Sequence, residues 1–290
     1  MPRTEAARRE HDRRRPRYAS DVSDRERAPI APLVPRDRAQ GRPRKTDLRE
    51  VVDAILYMAS TGCQWRMSPS DLPPPSTVQR HFHDWRDRGL WQGISDTPVM
   101  AARDLEGRKA SPTAGVIDSR SVKTAESEGA CGFDAGKRIK GRKRHAMTDT
   151  LYLLVGPVVH RAGVQDRDGA PGVLRSIRAR RPWLRHVYAD GGCAGPKLRA
   201  AMNGAGECTI GVFKRSDAAK GFEVIPRRWV TERSFAWLGR CRRLARDCER
   251  DTASARARVF VADIRPLTRR LARYSLASQT SESGTQAGEG

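Results

Sequence analysis

Acidic residues are scarce in this chain of 290 residues: 34 aspartates and glutamates stand against 56 lysines and arginines, which leaves a formal net charge of +22. An excess of this size indicates a polyanionic partner, and nucleic acid is the first candidate. Arginine dominates the basic residues, and its planar guanidinium suits bidentate contacts to phosphate. The charge balance therefore favours a DNA-binding function.

Long apolar runs are also missing. The longest one, at residues 151–159, is far shorter than the roughly 20 residues that a membrane-spanning helix needs. The arginine-rich start has no apolar stretch of the kind that a secretory signal contains. We therefore expect a soluble, cytoplasmic protein with no membrane partner.

Cysteine motifs are absent as well. The six cysteines, at positions 63, 131, 193, 208, 241 and 248, show neither CxxC nor Cys/His spacing. This pattern argues against a zinc site and against a disulfide framework. We expect the cysteines to act as small buried hydrophobic residues.

Five segments can be distinguished along the chain. Residues 1–20 are rich in arginine and poor in aromatic side chains, so we expect a disordered basic tail. Residues 21–98 carry helical patterns and form a small helical module, which a polar linker follows at 99–112. Residues 113–274 hold strand patterns and helical patterns, whereas residues 275–290 are rich in serine and glycine and should be disordered.

The helical module contains two predicted helices with basic surfaces. The first covers residues 47–60, between a capping aspartate and the stop signal Gly62. The second begins near Ser76, which opens a capping-box pattern. Its apolar stripe consists of Val78, Phe82 and Trp85. Arg80 and Arg86 lie largely outside that stripe and are candidate DNA contacts, with a purely structural role as the alternative.

Short apolar strands dominate the larger segment. Residues 114–117 end on Asp118, residues 186–189 end on Asp190, and residues 151–160 form a further strand. Helices are predicted at 169–180, 197–202 and 253–273. Strands that alternate with helices indicate an α/β domain with a mixed sheet.

A basic run precedes one of these strands. Residues 137–144 hold six lysines and arginines in eight positions. Such a run makes sense if a DNA backbone passes over it. The candidate contacts are Lys140, Arg142, Lys143 and Arg144.

Residues 227–250 form the most informative stretch. At about 100° per residue its apolar side chains share one half of a helical wheel, which predicts a single amphipathic helix. Thr231 is the expected N-cap. Glu232 would then lie in the first turn, where the helix dipole favours a negative charge.

The arginines of the same stretch divide between the two halves of the wheel. Arg243 and Arg240 share the polar half with Glu232, which predicts that they contact DNA. Arg242 lies at the edge of the apolar half, where its stem would pack on apolar surface.

Three acids stand out by position: Asp118 and Asp190 at strand ends, and Glu232 on the helix. Carboxylates placed in this way can hold hard divalent cations such as Mg²⁺, which prefers oxygen ligands. A structural role is the alternative for each, since Asp118 can cap a strand and Asp190 precedes a Gly-Gly turn signal. Asp166 and Asp168 compete as a metal site, although two acids in a loop are more often part of a turn.

Six stretches carry a resemblance to a known family: GRPRKTDLREVVDAILYMASTGCQWRM, VIDSRSVKTAES, GFDAGKRIKGRKRH, VQDRDGA, YADGGCAG and RRWVTERSFAWLGRCRRLARDCE. They cover most of residues 41–250 and resemble the Asp-Asp-Glu transposases of bacterial insertion sequences, in the insertion-sequence-5-like group. The resemblance implies an RNase H-like mixed-sheet catalytic core. In that core Asp118, Asp190 and Glu232 would hold two Mg²⁺ ions, for which Mn²⁺ should substitute.

The resemblance also implies partners and further site residues. The helical N-terminal module would help to recognise double-stranded DNA at the terminal inverted repeats, and target DNA would be the second substrate. Arg228, four residues before the glutamate, and Arg240 would hold phosphates. A homo-oligomer, most simply a dimer on DNA, and a location at the bacterial nucleoid are expected. The chain departs from the family pattern at Cys193 and Cys248, where aromatic residues are usual.

The predicted function is DNA transposition: cleavage at the ends of the element, followed by attack of the freed 3′-OH on target DNA. Both steps are phosphoryl transfers, which depend on positioning and electrostatics. Two alternatives stay open at this point. One is a non-catalytic DNA-binding regulator, and the other is a metal-dependent nuclease without strand transfer.

Overall fold

The structure is a computed structural model that describes residues 17–35, 45–125, 129–191, 196–203, 209–213 and 228–286. Its strands are β1 (Ala114–Lys123), β2 (Gly132–Asp134), β3 (Ile139–Asp149), β4 (Leu154–Arg161), β5 (His186–Asp190) and β6 (Thr209–Phe213). Its helices are α1 (Asp24–Arg27), α2 (Leu48–Thr61), α3 (Pro75–Asp87), α4 (Leu90–Leu105), α5 (Asp166–Arg178), α6 (Pro196–Asn203), α7 (Arg228–Leu238) and α8 (Thr252–Gln286). Single 3₁₀ turns occur at Ala31–Leu33, Trp65–Met67 and Arg242–Leu244.

The six strands form one mixed sheet in the order β2–β3–β1–β5–β6, with β4 also paired to β3. β3 runs antiparallel to β1 and β4, whereas β1, β5 and β6 are parallel to one another. The helix α5 connects β4 to β5, as a crossover between non-adjacent strands requires. The predicted α/β class with a mixed sheet is confirmed.

Each face of the sheet has its own apolar core. On one face the strands pack against α5, through Ile117, Met147, Val173, Ile177, Val187 and Ala189. On the other face they pack against α7, α8 and the N-terminal helices, through Ala146, Leu154, Val159, Phe235, Leu238 and Phe260. Because the sheet is covered on both sides, the polar side chains of its central strands β1 and β3 are also largely buried.

The N-terminal helices share this second core with the rest of the chain. Val51, Ile55, Phe82 and Trp85 belong to the same cluster as Phe260 of α8. The expected linker at 99–112 is wrong over its first half, because α4 continues to Leu105. The helical module therefore packs directly on the part of the chain that contains the sheet.

The ends of α2 follow the sequence signals, and the start of α3 does not. The Asp47 carboxylate accepts a hydrogen bond from the Arg49 N–H at 2.8 Å, and Gly62 ends the helix with a φ of 74°. The residue before α3 is Pro74, with no side-chain cap. The capping box expected at Ser76 is wrong, because proline supplies the helix start instead.

Both predicted tails are shorter than expected. Arg17 forms an ion pair with Glu50, and the Tyr18 hydroxyl donates to Asp71 at 2.8 Å, so residues 17–20 pack on the helices. At the other end α8 runs to Gln286, so residues 275–286 are helical and not disordered. Residues 1–16 and 287–290 lie outside the described residues.

Two expectations about composition can be compared with the structure. Within the described residues, no helix is long and apolar enough to cross a membrane. Four cysteines are described and all are free, but only Cys241 is buried, whereas Cys131 and Cys248 are exposed. The expectation of buried cysteines is therefore met for Cys241 alone. Cys193 and Cys208 lie outside the described side chains.

Candidate active site

Asp118 and Asp190 lie side by side on neighbouring parallel strands. The parallel pairing of β1 and β5 ends with Ile117 opposite Ala189, and the two aspartates are the next residues on their strands. Adjacent strands are about 4.8 Å apart. Both carboxylates are half-buried, so the sheet brings two of the three predicted acids together.

The two aspartates face the side of the sheet that α7 covers. Ile117 and Ala189 point into the core beneath α5. Because successive side chains alternate between faces, Asp118 and Asp190 point the other way. Ala146, which pairs with Asp118 across the ladder, belongs to the core that contains Phe235 of α7.

The position of Asp118 differs from the expected one. β1 continues for five residues beyond it, to Lys123, so Asp118 lies in the middle of a strand and not at its end. The backbone N–H of Ser119 donates to its carboxylate at 2.7 Å. This contact orients the carboxylate within the sheet.

The single helix predicted for residues 227–250 is wrong. α7 begins at Arg228, before the proposed N-cap Thr231, and ends at Leu238. Glycine is a poor helix former, and after Gly239 the chain turns and continues as the 3₁₀ turn Arg242–Leu244. Glu232 is exposed in the middle of a short helix and does not lie in a first turn.

The helix break reverses the predicted roles of two arginines. Arg243 is buried, with its Nε donating to Glu249 at 2.9 Å and its Nη1 to the Cys63 carbonyl at 3.0 Å. Arg242 is exposed. A residue that was expected to contact DNA is structural, and its neighbour is the exposed one. Arg240 is exposed, as predicted.

Two of the four predicted contacts in the basic run, Arg142 and Lys143, are also structural. Arg142 donates to Asp247 at 3.0 Å, and Lys143 lies 3.0 Å from Asp134 and 2.9 Å from Asp166. These side chains are buried because β3 lies in the middle of the sheet. Arg144 is buried as well, but its Nε has no hydrogen-bond partner among the described residues. Lys140 is exposed, and its contact with DNA stays a prediction.

The remaining candidates lie on or near helices. Arg80 is exposed on α3. Arg86 is half-buried and donates to Asp251 at 3.1 Å and to Ser254 at 2.6 Å, so it ties α3 to the start of α8. These contacts give Arg86 a structural role, and its contact with DNA stays a prediction. The side chain of Arg228 lies outside the described residues.

A buried polar network beneath α5 was not predicted from the sequence. The Asp166 carboxylate accepts from Ser119 Oγ at 2.8 Å and from Lys143 at 2.9 Å. Although burial raises the pKa of Asp166, the hydrogen bonds from Lys143 and Ser119 hold it below its usual value. Burial lowers the pKa of His145 to about 3, and its Nδ1 lies 2.9 Å from Nε2 of His160.

The sequence offered Asp166 and Asp168 as an alternative metal site, and this network gives Asp166 a structural role instead. Asp166 begins α5 and holds β1 and β3 together, so it serves the sheet. The only available signal was the alternation of polar residues in two strands, where Ser119 pairs with His145. That pairing cannot be known before the register is known.

The donor set fits a hard divalent cation in part. Asp118 and Asp190 supply carboxylate oxygens at one place, and Mg²⁺ takes one or two carboxylates per ion. Glu232 lies on α7, which packs on the same face of the sheet, and its side chain is exposed. Among the described residues, however, no group of three acidic, histidine or cysteine side chains is close enough to hold a metal ion.

Comparison with protein families adds two findings. Residues 109–262 match the family described as a transposase DDE domain. Residues 22–95 match a family described as a putative transposase of the IS4/5 family. No curated protein and no solved structure matches the chain.

The first match covers more than half of the chain and includes the whole sheet together with α7. A DDE domain implies an RNase H-like fold, and such domains generally use divalent metal ions. The half-buried aspartate pair on β1 and β5 lies inside the matched range. The chain therefore belongs to the DDE-domain transposases and is an enzyme that acts on DNA.

Proposed function

We propose that this transposase cuts DNA at the ends of its own insertion sequence and joins the freed 3′-OH to target DNA. One observation carries the proposal: Asp118 and Asp190 occupy adjacent register positions on the face of the sheet that α7 covers. Glu232 of α7 supplies a third carboxylate to that face. The site would use one set of residues for cleavage and for joining.

Asp118 and Asp190 are assigned as ligands of Mg²⁺, with Mn²⁺ as a substitute, and Glu232 as the third ligand. Such ions stabilise the charge that develops on the reacting phosphate oxygens. The protein contributes position: the Ser119 N–H fixes the Asp118 carboxylate, and the pleat of the sheet fixes both aspartates on one face.

Exposed basic residues would hold the DNA backbone near this site. Arg240, Arg242 and Lys140 are exposed, and Arg80 is exposed on α3. Recognition of the terminal inverted repeats is assigned to the helices of residues 21–98. A dimer would hold the two ends of the element. Because its substrate is DNA, we expect the protein in the cytoplasm, at the nucleoid.

The assignment of the acids can be tested one residue at a time. Asp118→Asn, Asp190→Asn and Glu232→Gln each keep the shape of the side chain and remove a charge. Cleavage of a duplex that carries the element's end, with Mg²⁺ present, should fall by orders of magnitude, while binding of the same duplex is retained. The matched control is Asp168→Asn, an exposed carboxylate on α5 beyond the opposite face, which should cleave normally.

The outcomes distinguish this proposal from the two alternative functions. Cleavage near the wild-type rate in any of the three variants removes that residue from the site. Cut ends without joined products would make the protein a metal-dependent nuclease without strand transfer. Binding without any metal-dependent cutting would leave only a DNA-binding regulator.

A further inference from the structure

A cavity of about 310 Å³ opens on the same face of the sheet as Asp118. Its apolar floor includes Phe235, Leu238 and Val259, and its basic wall consists of Arg120, Lys123 and Arg144. Among the residues that the structure describes, no acidic side chain lines it. A concave surface with an apolar floor and a one-sided positive charge is suited to an anion that carries carbon groups.

The arrangement of its arginines is unfavourable without a ligand. Arg120 on β1 lies directly opposite Arg144 on β3 in the antiparallel ladder. Like charges at opposed positions of two strands destabilise a sheet. An anion between the two guanidinium groups would remove that repulsion.

Arg144 is only partly satisfied by the protein. It is 6% exposed, and its Nη1 donates to the Leu244 carbonyl at 2.8 Å. Its nearest carboxylate, Asp247, is 3.8 Å from Nη2 and also serves Arg142. Its Nε has no hydrogen-bond partner in the described part of the chain, and burial lowers its pKa.

The other two basic residues are available to a ligand. Arg120 and Lys123 are exposed, and neither forms an ion pair with an acid among the residues that the structure describes. Within the described part of the chain, no carboxylate therefore neutralises these two charges at the mouth of the cavity. A buried donor and two exposed cations together form a site for a monoanion with several acceptor oxygens.

We propose that this cavity binds a phosphodiester of the DNA strand that occupies the active site, with Arg120, Lys123 and Arg144 as donors. The inference rests on the proposed function, since that function places DNA on this face. Arg120 is two residues from Asp118, roughly 7 Å along the strand, so the bound phosphate is a near neighbour of the reacting one. The apolar floor is suited to the carbon atoms of a deoxyribose.

Neutral phosphate analogues test the site directly. Duplexes that carry the element's end, each with a single methylphosphonate, are titrated with wild-type protein and with Arg120→Ala. One position near the cleavage site should weaken wild-type binding roughly tenfold, as the loss of charge-assisted hydrogen bonds does. The same substitution should cost Arg120→Ala clearly less than it costs the wild type, because one of the three donors is already absent.

Three further variants separate a cavity from a merely basic surface. Lys123→Ala should also weaken binding, and the slope of log affinity against log salt should fall by about one for each removed phosphate contact. Ala245→Phe keeps every charge but fills the rim of the cavity, and it should lower affinity as well. Arg175→Ala, an exposed arginine on α5 beyond the opposite face, is the control and should change neither affinity nor slope.

Stability provides an independent readout. If Arg120 repels Arg144 in the free protein, Arg120→Ala should melt at the same or a higher temperature than the wild type. The inference is overturned if Arg120→Ala binds like Arg175→Ala, or if no methylphosphonate position distinguishes it from the wild type. Those results leave cleavage by wild-type protein intact, whereas failure of the wild type to bind or cut the DNA sinks the proposed function itself.

Discussion

At the scale of single residues, the two neighbouring arginines after α7 have opposite environments. Arg243 is buried in hydrogen bonds to Glu249 and to the Cys63 carbonyl. Arg243→Ala should cost about 2 kcal/mol of unfolding free energy, as the loss of buried charge-assisted bonds does. Arg258 continues to pair with Glu249, which limits the loss. Urea unfolding measures it.

The matched variant is Arg242→Ala, one residue earlier. Because Arg242 is exposed, its removal should change stability by less than about 0.5 kcal/mol. It should instead weaken DNA binding. The reverse result, a stability loss at Arg242 and an affinity loss at Arg243, would restore the continuous helix that the sequence suggested.

A buried acid predicts a pH dependence of stability. Asp263 on α8 accepts a hydrogen bond from Ser95 at 3.0 Å, and burial raises its pKa to about 7. The folded state then binds a proton that the unfolded chain releases near its ordinary pKa of about 3.9. This contribution to stability is present at low pH and is lost as the pH rises towards 7.

Asp263→Asn tests that contribution, because an amide cannot ionise. The difference in unfolding free energy between wild type and variant should change between pH 4 and pH 7, by at most about 1.4 kcal/mol per pH unit, and should level off above. A constant difference across that range would show that Asp263 stays ionised in the folded protein.

Some residues of the site could be predicted from the sequence, and others could not. Asp118 and Asp190 could be found because each follows a short apolar run in the sequence and belongs to a recognisable motif. The role of Arg142 could not, because its partner Asp247 lies 105 residues further along the chain. A basic run has the same appearance in sequence whether its charges meet DNA or buried carboxylates.

At the scale of elements, the starts of α2 and α3 both carry a capping pattern in the sequence, but only the pattern at α2 forms a cap in the structure. Asp47 caps α2 through the Arg49 N–H, so Asp47→Ala should destabilise the protein by about 1 kcal/mol. Ser76 follows the proline that begins α3 and caps nothing, so Ser76→Ala should be nearly neutral. Equal losses in urea unfolding would mean that the box at Ser76 forms after all.

The elements themselves were largely predictable, and their ends were less so. α5 and β5 could be predicted because the apolar residues recur at helical spacing in α5 and form a short apolar run in β5. The helix over 227–250 was wrong because its apolar half continues past Gly239, where the chain turns and buries Arg243 against Glu249. The periodicity identifies the apolar side chains correctly, but it does not show that the backbone stays helical. After the turn the later apolar side chains still pack in the same core as those of α7.

At the scale of the whole molecule, the helical N-terminal part and the sheet share one core. Ile55 of α2 and Phe260 of α8 are buried in the same cluster. We therefore expect one cooperative thermal transition for the intact chain, with the N-terminal part unable to unfold alone. Calorimetry of the intact protein measures this, and two resolved transitions would contradict it.

A fragment provides the complementary test. Residues 17–105 lack α8, which covers their apolar face, so the fragment should be poorly folded and should show weak chemical-shift dispersion. A well-folded fragment that binds the element's ends would establish an independent domain, as the sequence suggested. The shared core was not predictable, because it joins residues some 200 positions apart.

Strand joining tests the central claim most directly. Duplex DNA with a pre-cut 3′-OH end of the element is incubated with target plasmid, intact protein and Mg²⁺, and the products are sequenced. Junctions between the 3′ end and the target should form with wild-type protein. They should be absent with a chelator and with Asp118→Asn, while Asp168→Asn still forms them. Junctions that persist in Asp118→Asn, or their absence with wild-type protein that binds the same DNA, would contradict the account.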